Sequence, residues 1–288
     1  MITFNPEIIK VPAFMTKFTD IDNLSFLKKI NLIIKGKLTS YVLSNFKNKN
    51  ICKYFNLFFR FDGQLVYENK YFVRKNDDQN LYYPNTRFTR TIINQNKFLD
   101  YLFSSYLLDK INFQNDDLIV DCGANVGELA LAFNQKKIHI NYIGIEPEPD
   151  TFYCLNKNSE TDNLNICLSD TEKDLEFFVD SIGANSSIIQ SETTNNILRI
   201  PSKRLDTIFT NKKIKLLKID AEGAEPEVLR GCSEIINNIE FISVDCGAER
   251  GMNQTTTFQD VFEILTKYNF EIVDIYQQRL TVLFENKK

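Results

Sequence analysis

This sequence lacks the features by which membrane-spanning and disulfide-bonded proteins are usually recognised. No apolar run approaches the roughly 20 residues of a membrane-spanning helix. The first residues, MITFNPEIIK, lack the basic-then-apolar order of a signal peptide. C-x-x-C pairs are also absent, so we expect a cytoplasmic protein with free, mostly buried thiols. This expectation covers six cysteines: Cys52, Cys122, Cys154, Cys167, Cys232 and Cys246.

Histidine is nearly absent as well. His139 is the only one, and it lies in a predicted connection that enters a strand. We expect it at the surface, and therefore do not expect a histidine-based catalytic pair. The sequence also shows no internal repeat and no recognisable nucleic-acid motif, so no nucleic-acid partner is expected.

Charge is distributed unevenly along the chain, although the net charge is only −4. Residues 1–113 hold 17 Lys and Arg against 9 Asp and Glu, and 22 of the 36 aromatic residues. Residues 114–288 hold 17 basic against 29 acidic residues. A basic, aromatic-rich segment suits an anionic partner such as a phospholipid surface, a nucleotide-sugar or a lipid-linked phosphate. The alternative is a basic face that is merely solvated.

The most informative stretch runs from Leu118 to Pro147. A short β-branched run ends at Asp121 and is followed by a tight turn, Gly123-Ala124-Asn125-Val126-Gly127, and then by helical apolar spacing. Glycine allows positive φ angles and close approach of a ligand to the backbone. The following helix directs free N–H groups at the turn. Glu146, at the tip of the next predicted strand, has the spacing of a carboxylate that binds ribose hydroxyls.

The acid before the first glycine indicates which nucleotide cofactor this half-site would take. The G-x-G-x-x-G fingerprint binds a pyrophosphate, which Asp121 would repel. The same carboxylate suits the positively charged amino and sulfonium groups of S-adenosylmethionine. The D-x-G-x-N-x-G form, followed by Glu146, resembles motif I of class I S-adenosylmethionine-dependent methyltransferases.

The first 113 residues predict an N-terminal α+β extension. Residues 22–35 have the apolar spacing of an amphipathic helix, and residues 97–110 predict a helix that leads into the core. Residues 54–59 and 64–73 predict strands, with a turn signal at Gly63. No long linker separates this extension from residues 114–288.

Residues 114–288 predict one α/β domain. Strands and helices alternate, and the third and fourth strands after the turn region are predicted at 165–168 and 214–219. Only three residues separate the last two predicted strands, at 270–276 and 280–285, so they must be antiparallel. A seven-stranded, mostly parallel sheet with an antiparallel last hairpin is the class I methyltransferase layout, whereas a dinucleotide-binding sheet keeps parallel crossovers.

Later motifs sharpen the resemblance. Lys218-Ile219-Asp220-Ala221-Glu222-Gly223-Ala224-Glu225, followed by Val228-Leu229-Arg230-Gly231, resembles the FkbM family of methyltransferases over about residues 116–285. Leu168-Ser169-Asp170 and Arg204-Leu205-Asp206 also match. One departure is Asp245-Cys246, where a Glu is usual. The resemblance implies S-adenosylmethionine as methyl donor and transfer to an oxygen, often a sugar or polyketide hydroxyl.

The cofactor residues expected from this reading lie at successive strand ends. Asp121 would hold the amino-acid end of the donor, and Glu146 its ribose. Ser169 and Asp170 would meet the adenine, although ordinary turn chemistry also explains them. The turn itself would be formed by Gly123, Ala124, Asn125 and Gly127.

The catalytic residues expected from this reading are Asp220 and Glu222. A carboxylate that removes the acceptor proton helps by about 10²–10⁴-fold, and paired acids raise each other's pKa. Glu222 has an alternative role as a helix cap. A weaker alternative places a divalent cation between Asp220 and Asp245.

The sequence thus predicts a cytoplasmic S-adenosylmethionine-dependent O-methyltransferase that acts on a small-molecule or glycan hydroxyl, as in polysaccharide biosynthesis. The acceptor could be anionic or lipid-linked, with peripheral membrane contact. A nicotinamide-dependent oxidoreductase and a non-catalytic scaffold of the same fold are the alternatives. The missing third glycine and the terminal hairpin oppose the oxidoreductase.

Overall fold

The computed structural model describes residues 11–77, 79–180, 186–190 and 194–288. The ten N-terminal residues, on which the expectation of no signal peptide rests, lie outside the described residues. The chain forms two compact units, one that ends at Phe98 and one from Leu99 to Lys288. The sequence prediction had placed the boundary after residue 113.

The first unit is a helical segment followed by a small antiparallel sheet, whose strands lie in the order β1-β2-β3. Its elements are α1 (Ala13–Thr16), α2 (Phe26–Asn45), α3 (Lys49–Phe58), β1 (Gln64–Glu68), β2 (Tyr71–Lys75), β3 (Leu81–Tyr83), a 3₁₀ turn (Thr86–Phe88) and α4 (Thr89–Ile92). Helix α5 (Gln95–Ser105) begins in this unit and ends in the second. The predicted helix at 22–35 is therefore confirmed in part, because it begins later and runs farther.

The predicted strand at 54–59 is wrong, because residues 49–58 form α3. Aromatic residues favour strands, but the buried positions Ile51, Cys52 and Phe55 follow helical spacing. Phe55 is completely buried, stacks on Phe59 at 4.7 Å and meets Phe88 edge-on at 5.0 Å. The packing of α3 on this aromatic cluster outweighs its local strand propensity.

The second unit carries the predicted strand–helix alternation. After the 3₁₀ turn Leu108–Lys110, its elements are β4 (Asp117–Cys122), α6 (Glu128–Gln135), β5 (Ile140–Ile145), α7 (Pro149–Asn158), β6 (Cys167–Leu168), β7 (Asp174–Asp180), β8 (Thr194–Lys203), α8 (Leu205–Ile208), β9 (Ile214–Ile219), α9 (Glu225–Arg230), a 3₁₀ turn (Ile236–Asn238), β10 (Ile239–Asp245), β11 (Ala248–Arg250), β12 (Thr255–Thr256), α10 (Phe258–Thr266), β13 (Phe270–Tyr276) and β14 (Thr281–Asn286).

Six of these strands form the main sheet, in the order β13-β14-β10-β9-β4-β5. Strands β10, β9, β4 and β5 are parallel, and β14 pairs antiparallel with both β10 and β13, as the short connection requires. The α/β methyltransferase architecture with an antiparallel last hairpin is therefore confirmed. Because parallel strands share one orientation, Asp121, Glu146, Asp220 and Asp245 all lie at the same edge of the sheet.

The predicted strand at 165–168 does not join this sheet. Residues 167–168 form β6, which pairs parallel with β8 in a separate three-stranded sheet that also contains β7. Among the described residues, a single bridge, Ile145 to Leu164, extends the main sheet beyond β5. The main sheet therefore has six strands and not the seven predicted. The segment that follows α7 pairs with β5 at one residue pair and then leaves the sheet.

An aliphatic core packs against the main sheet and contains fully buried Leu217, Ile219 and Ile242. All six cysteines are free and buried, and His139 is exposed, as expected. Among the residues that the structure describes, no helix is both long and apolar enough to cross a membrane.

Candidate active site

The turn after β4 has an unusual backbone that only certain residues adopt easily. Gly123, Asn125 and Gly127 have φ angles of 75°, 52° and 87°, in the left-handed region. A Cβ atom on Gly123 would lie 2.0 Å from the carbonyl oxygen of Asp220. The sequence reading assigned this glycine to ligand approach, but the structure shows a further reason, since the turn abuts the end of β9.

Glu146 holds the turn from the neighbouring strand. Its carboxylate accepts hydrogen bonds from the backbone N–H groups of Asn125, at 2.9 Å, and Glu148, at 3.0 Å. The side chain of Asn165 bonds the carbonyl oxygen of Glu146 at 2.8 Å, a contact that sequence reasoning missed. A carboxylate offers about four acceptor positions, so bonding to the turn does not exclude bonding to ribose hydroxyls.

Asp121 lies beneath the turn in a buried ion pair. Lys218 Nζ is 2.8 Å from its carboxylate and also donates to the carbonyl oxygens of Cys122 and Gly123. Tyr142 donates to the same carboxylate at 2.5 Å. Burial by itself lowers the pKa of Lys218, but the charge of Asp121 raises it above its ordinary value. The structure thus gives Asp121 a partner inside the protein, and its predicted contact with the donor stays a prediction.

Ser169 and Asp170 follow β6, outside the main sheet. Ser169 is buried, and Asp170 accepts a hydrogen bond from Arg230 at 3.1 Å in a partly exposed ion pair. Arg204 donates to the backbone carbonyl of Asp170. Their predicted contact with adenine stays a prediction.

Asp220 is the centre of a charged network at the end of β9. Tyr106 donates to its Oδ2 atom at 2.5 Å, and Arg279 Nη2 lies 3.1 Å from the same atom. Arg279 Nη2 also donates to Asp245. The guanidinium group therefore bridges the two aspartates, at the position where the weaker alternative placed a cation.

The network gives its two aspartates opposite pKa shifts. Burial acts to raise the pKa of Asp220, but the positive charges of Lys218 and Arg279 lower it below its ordinary value. Burial and the charge of Asp220 raise the pKa of Asp245 to about 6. The expectation that a neighbouring acid raises the pKa of Asp220 is therefore wrong. The two nearby cations outweigh the neighbouring carboxylates.

The loop after Asp220 is shaped by a different glutamate from the one predicted. The Glu225 carboxylate accepts hydrogen bonds from the N–H groups of Ala221, at 3.1 Å, and Gly223, at 3.0 Å. Helix α9 begins at Glu225, with Ala224 as the residue before it, and the capping alternative for Glu222 stays a prediction. Glu222 has a φ angle of 50°, in the left-handed region.

Glu249, which sequence reasoning missed, completes a group of three carboxylates. Asp220, Glu222 and Glu249 each place a carboxylate oxygen within 4.8 Å of the others. Strand β11 brings Glu249 there, because Gly223 lets the backbone of Arg250 pass where a Cβ would lie only 2.7 Å away. Burial and the charges of Asp220 and Asp245 raise the pKa of Glu249 to about 7.

Two oxygens in this carboxylate cluster, Asp220 Oδ1 and Glu249 Oε2, are buried without a hydrogen-bond partner among the described residues. Buried polar atoms without partners are rare, so these two mark a position that can accept hydrogen bonds from a bound molecule. The three carboxylates could equally hold a hard divalent cation.

The site also fits a positively charged cofactor. Acids outnumber cations at this edge of the sheet, which favours a sulfonium over a pyrophosphate. The left-handed turn backbone beside Glu146 has the form that would let a nucleoside approach it closely. The residues present thus suit S-adenosylmethionine.

Comparison with known proteins agrees with this reading. The Methyltransferase FkbM domain model matches residues 121–272, more than half of the chain. The hexuronic acid methyltransferase AglP of Haloferax volcanii is 30% identical over 141 residues, which cover 47% of this chain and 58% of that protein. Methyltransferase 1 of Beauveria bassiana is 26% identical over 202 residues, covering 58% of this chain and 79% of the relative.

Among solved structures, M. capricolum TrmK in complex with S-adenosylhomocysteine matches at 12% identity and a TM-score of 0.38, covering 65% of this chain and 69% of that chain. None of these comparisons supports the oxidoreductase alternative. The chain belongs to the FkbM family of methyltransferases, and its methyl donor is S-adenosylmethionine.

Proposed function

We propose that this protein methylates a hydroxyl oxygen of a sugar or glycan, with the cluster of Asp220, Glu222 and Glu249 receiving the hydroxyl proton. The observation that carries the proposal is the pair of buried carboxylate oxygens, Asp220 Oδ1 and Glu249 Oε2, that lack hydrogen-bond partners among the described residues. A sugar hydroxyl is a hydrogen-bond donor and satisfies such atoms.

The donor side is assigned to the turn and its neighbouring strand. We propose that Gly123, Ala124, Asn125 and Gly127 form the wall of the donor site and that Glu146 accepts the ribose hydroxyls. When bound, S-adenosylmethionine supplies an electrophilic methyl carbon on a positively charged sulfur. The protein's part is to hold that carbon beside the acceptor oxygen, since the turn abuts Asp220.

Glu249 and Asp220 have different proposed roles at the acceptor hydroxyl. Glu249, with its pKa raised to about 7, is the better proton acceptor near neutral pH, because the efficiency of a general base is greatest when its pKa lies near the working pH. Asp220, whose pKa is lowered, stays ionised and accepts a hydrogen bond that orients the hydroxyl. Glu249 would receive the hydroxyl proton as the methyl carbon bonds to the oxygen and its bond to the sulfonium sulfur breaks, which leaves neutral S-adenosylhomocysteine.

The acidic cluster favours a hydroxyl over a carboxylate acceptor. A sugar carboxylate needs no base and would be repelled by ionised Asp220 and Asp245. A neutral hydroxyl is attracted as a hydrogen-bond donor and needs a proton acceptor. This distinction matters because one relative is named as a hexuronic acid methyltransferase, and a hexuronic acid carries both groups.

The test is to incubate the protein with isotope-labelled S-adenosylmethionine and free or glycan-linked sugars, including hexuronic acids, and to identify labelled products by mass spectrometry. We expect a methyl ether, which survives mild alkali. A labelled methyl ester, which alkali hydrolyses, would overturn O-methylation of a hydroxyl. Absence of any labelled sugar, with donor binding intact, would overturn the proposed acceptor class.

A further inference from the structure

Helix α2 of the first unit exposes four large apolar side chains along one face, which we call the α2 stripe. Leu27, Ile34, Leu38 and Tyr41 are 78%, 63%, 41% and 58% exposed. Their separations of seven, four and three residues place them on one face of a helix with 3.6 residues per turn. The buried residues of α2, Gly36, Thr39 and Val42, lie on other faces. The stripe is therefore not the face by which α2 packs on its own unit.

Lysines flank the stripe. Helix α2 contains four lysines and no acidic residue, namely Lys28, Lys29, Lys35 and Lys37. At about 100° per residue, Lys28 and Lys37 lie on opposite sides of the apolar stripe. Lys35 lies over the ring of Phe59 at 3.9 Å, and Lys29 donates to the backbone carbonyl of Asp22. Lys28 and Lys37 are exposed.

An apolar face bordered by cations, on a helix without acids, shares these two features with helices that lie in a membrane interface. Apolar side chains enter the boundary between headgroups and acyl chains, while long lysine side chains reach the phosphates. A second copy of the chain is a poor occupant, since pairing two such stripes would bring lysines of one copy against lysines of the other.

We propose that the α2 stripe docks this protein on an anionic phospholipid surface. The inference does not depend on the acceptor or on the mechanism of methyl transfer. It places the helix parallel to the membrane plane, with the polypeptide on the surface.

The experiment is co-flotation of the full chain with vesicles of phosphatidylcholine alone or of phosphatidylcholine mixed with phosphatidylglycerol. We expect binding to the mixed vesicles at low salt, with little binding to phosphatidylcholine alone and a steep fall as salt rises. Ile34→Ser combined with Leu38→Ser should remove most of the binding. Lys28→Gln and Lys37→Gln should each weaken it by about fivefold.

The matched control is Ile197→Ser, which removes an isoleucine that is 54% exposed on β8 of the other unit. It should bind vesicles like the wild type. Each variant is first checked for an unchanged thermal unfolding midpoint and unchanged S-adenosylmethionine affinity, which separates loss of docking from misfolding.

Three outcomes would overturn the proposal. The first is no binding of the wild type to phosphatidylglycerol vesicles at low salt. The second is equal loss of binding in the Ile197→Ser control. The third is a concentration-dependent dimer in sedimentation that Ile34→Ser with Leu38→Ser abolishes, which would assign the stripe to a second copy.

Discussion

The two units of this chain use charged residues in opposite ways. In the first unit, lysines such as Lys28 and Lys37 are exposed on a helix, while the interior is held by aromatic rings around Phe55. In the second unit, Lys218 and Asp121 are almost fully buried within the sheet edge, with side chains 3% and 1% exposed. Burial accounts for this difference between the two units. A charge in a low-dielectric interior changes the pKa of its neighbours, whereas an exposed charge is screened by salt.

The largest expected effect is that of removing the buried cation. Lys218→Met leaves Asp121 buried without its ion-pair partner and should lower the free energy of unfolding by about 3–5 kcal/mol. The measurement is chemical denaturation. Lys203→Met on β8 is the control, since Lys203 and its partner Glu172 both have exposed side chains and the loss of this pair should cost about 0–1 kcal/mol. Equal losses of unfolding free energy in the two variants would show that burial does not determine how much each ion pair contributes to stability.

The next effect is a pH dependence that belongs to Glu225. Burial raises the pKa of this carboxyl to about 7 from 4.5. The folded state therefore binds more protons than the unfolded state between these pH values, and Glu225 makes the fold less stable as pH rises through them. Glu225→Gln keeps an amide oxygen that accepts the same backbone bonds. The free energy of unfolding of Glu225→Gln minus that of the wild type should therefore increase by on the order of 3 kcal/mol between pH 4 and pH 8.

Denaturation curves at several pH values measure this difference. Glu263→Gln, a change at an exposed position of α10, should give a difference that is flat with pH. If the Glu225→Gln difference is also flat, the carboxyl is not held in a pKa-raising environment.

A third effect concerns turnover. Glu249→Gln should lower the turnover rate by about 10²-fold or more while donor affinity, measured by calorimetry, changes little. The wild-type rate should rise with pH and level off above about 7, because the base must be deprotonated. Asp220→Asn tests the earlier assignment. A plateau that extends below pH 5, together with a larger loss in Asp220→Asn than in Glu249→Gln, would make Asp220 the base.

A chelator tests the remaining role for the carboxylates. If Asp220, Glu222 and Glu249 act by proton transfer alone, EDTA should leave the rate unchanged. Activity that is lost in EDTA and restored by Mg²⁺ would assign the cluster to a cation instead.

The smallest expected effect completes the comparison. Lys28→Gln together with Lys37→Gln should change the free energy of unfolding by less than about 0.5 kcal/mol, because exposed surface substitutions rarely do more. The same double variant should still lose vesicle binding. A large loss of stability would show that these lysines support the fold, and the contrast between the two units would fail.

Local signals were enough to predict part of this site. The glycine turn and Glu146 lie close in sequence, and the structure joins them directly through the N–H of Asn125. The alternation of strands and helices and the short last connection predicted a mostly parallel sheet with an antiparallel last hairpin, and the main sheet has both features. These features depend on spacing over a few tens of residues, which one sequence displays.

Long-range contacts were not predictable in the same way. Lys218 and Asp121 are far apart in the chain, so nothing local indicates that the acid beside the turn is neutralised. Glu249 lies in a short strand that carries no apolar alternation to mark it. The strand predicted at residues 54–59 failed because aromatic composition was weighted above the helical spacing of Ile51, Cys52 and Phe55. Tertiary packing decided each of these cases.

The contact between Gly123 and Asp220 has a consequence for how the two substrates bind. Any shift of the donor turn must move the main chain that carries Asp220, because there is no room for even one methyl group between them. With the donor and acceptor sites placed as proposed, they share this contact, and we expect their binding free energies to be coupled. Such coupling is reciprocal, so the factor by which the acceptor changes donor affinity equals the factor by which the donor changes acceptor affinity.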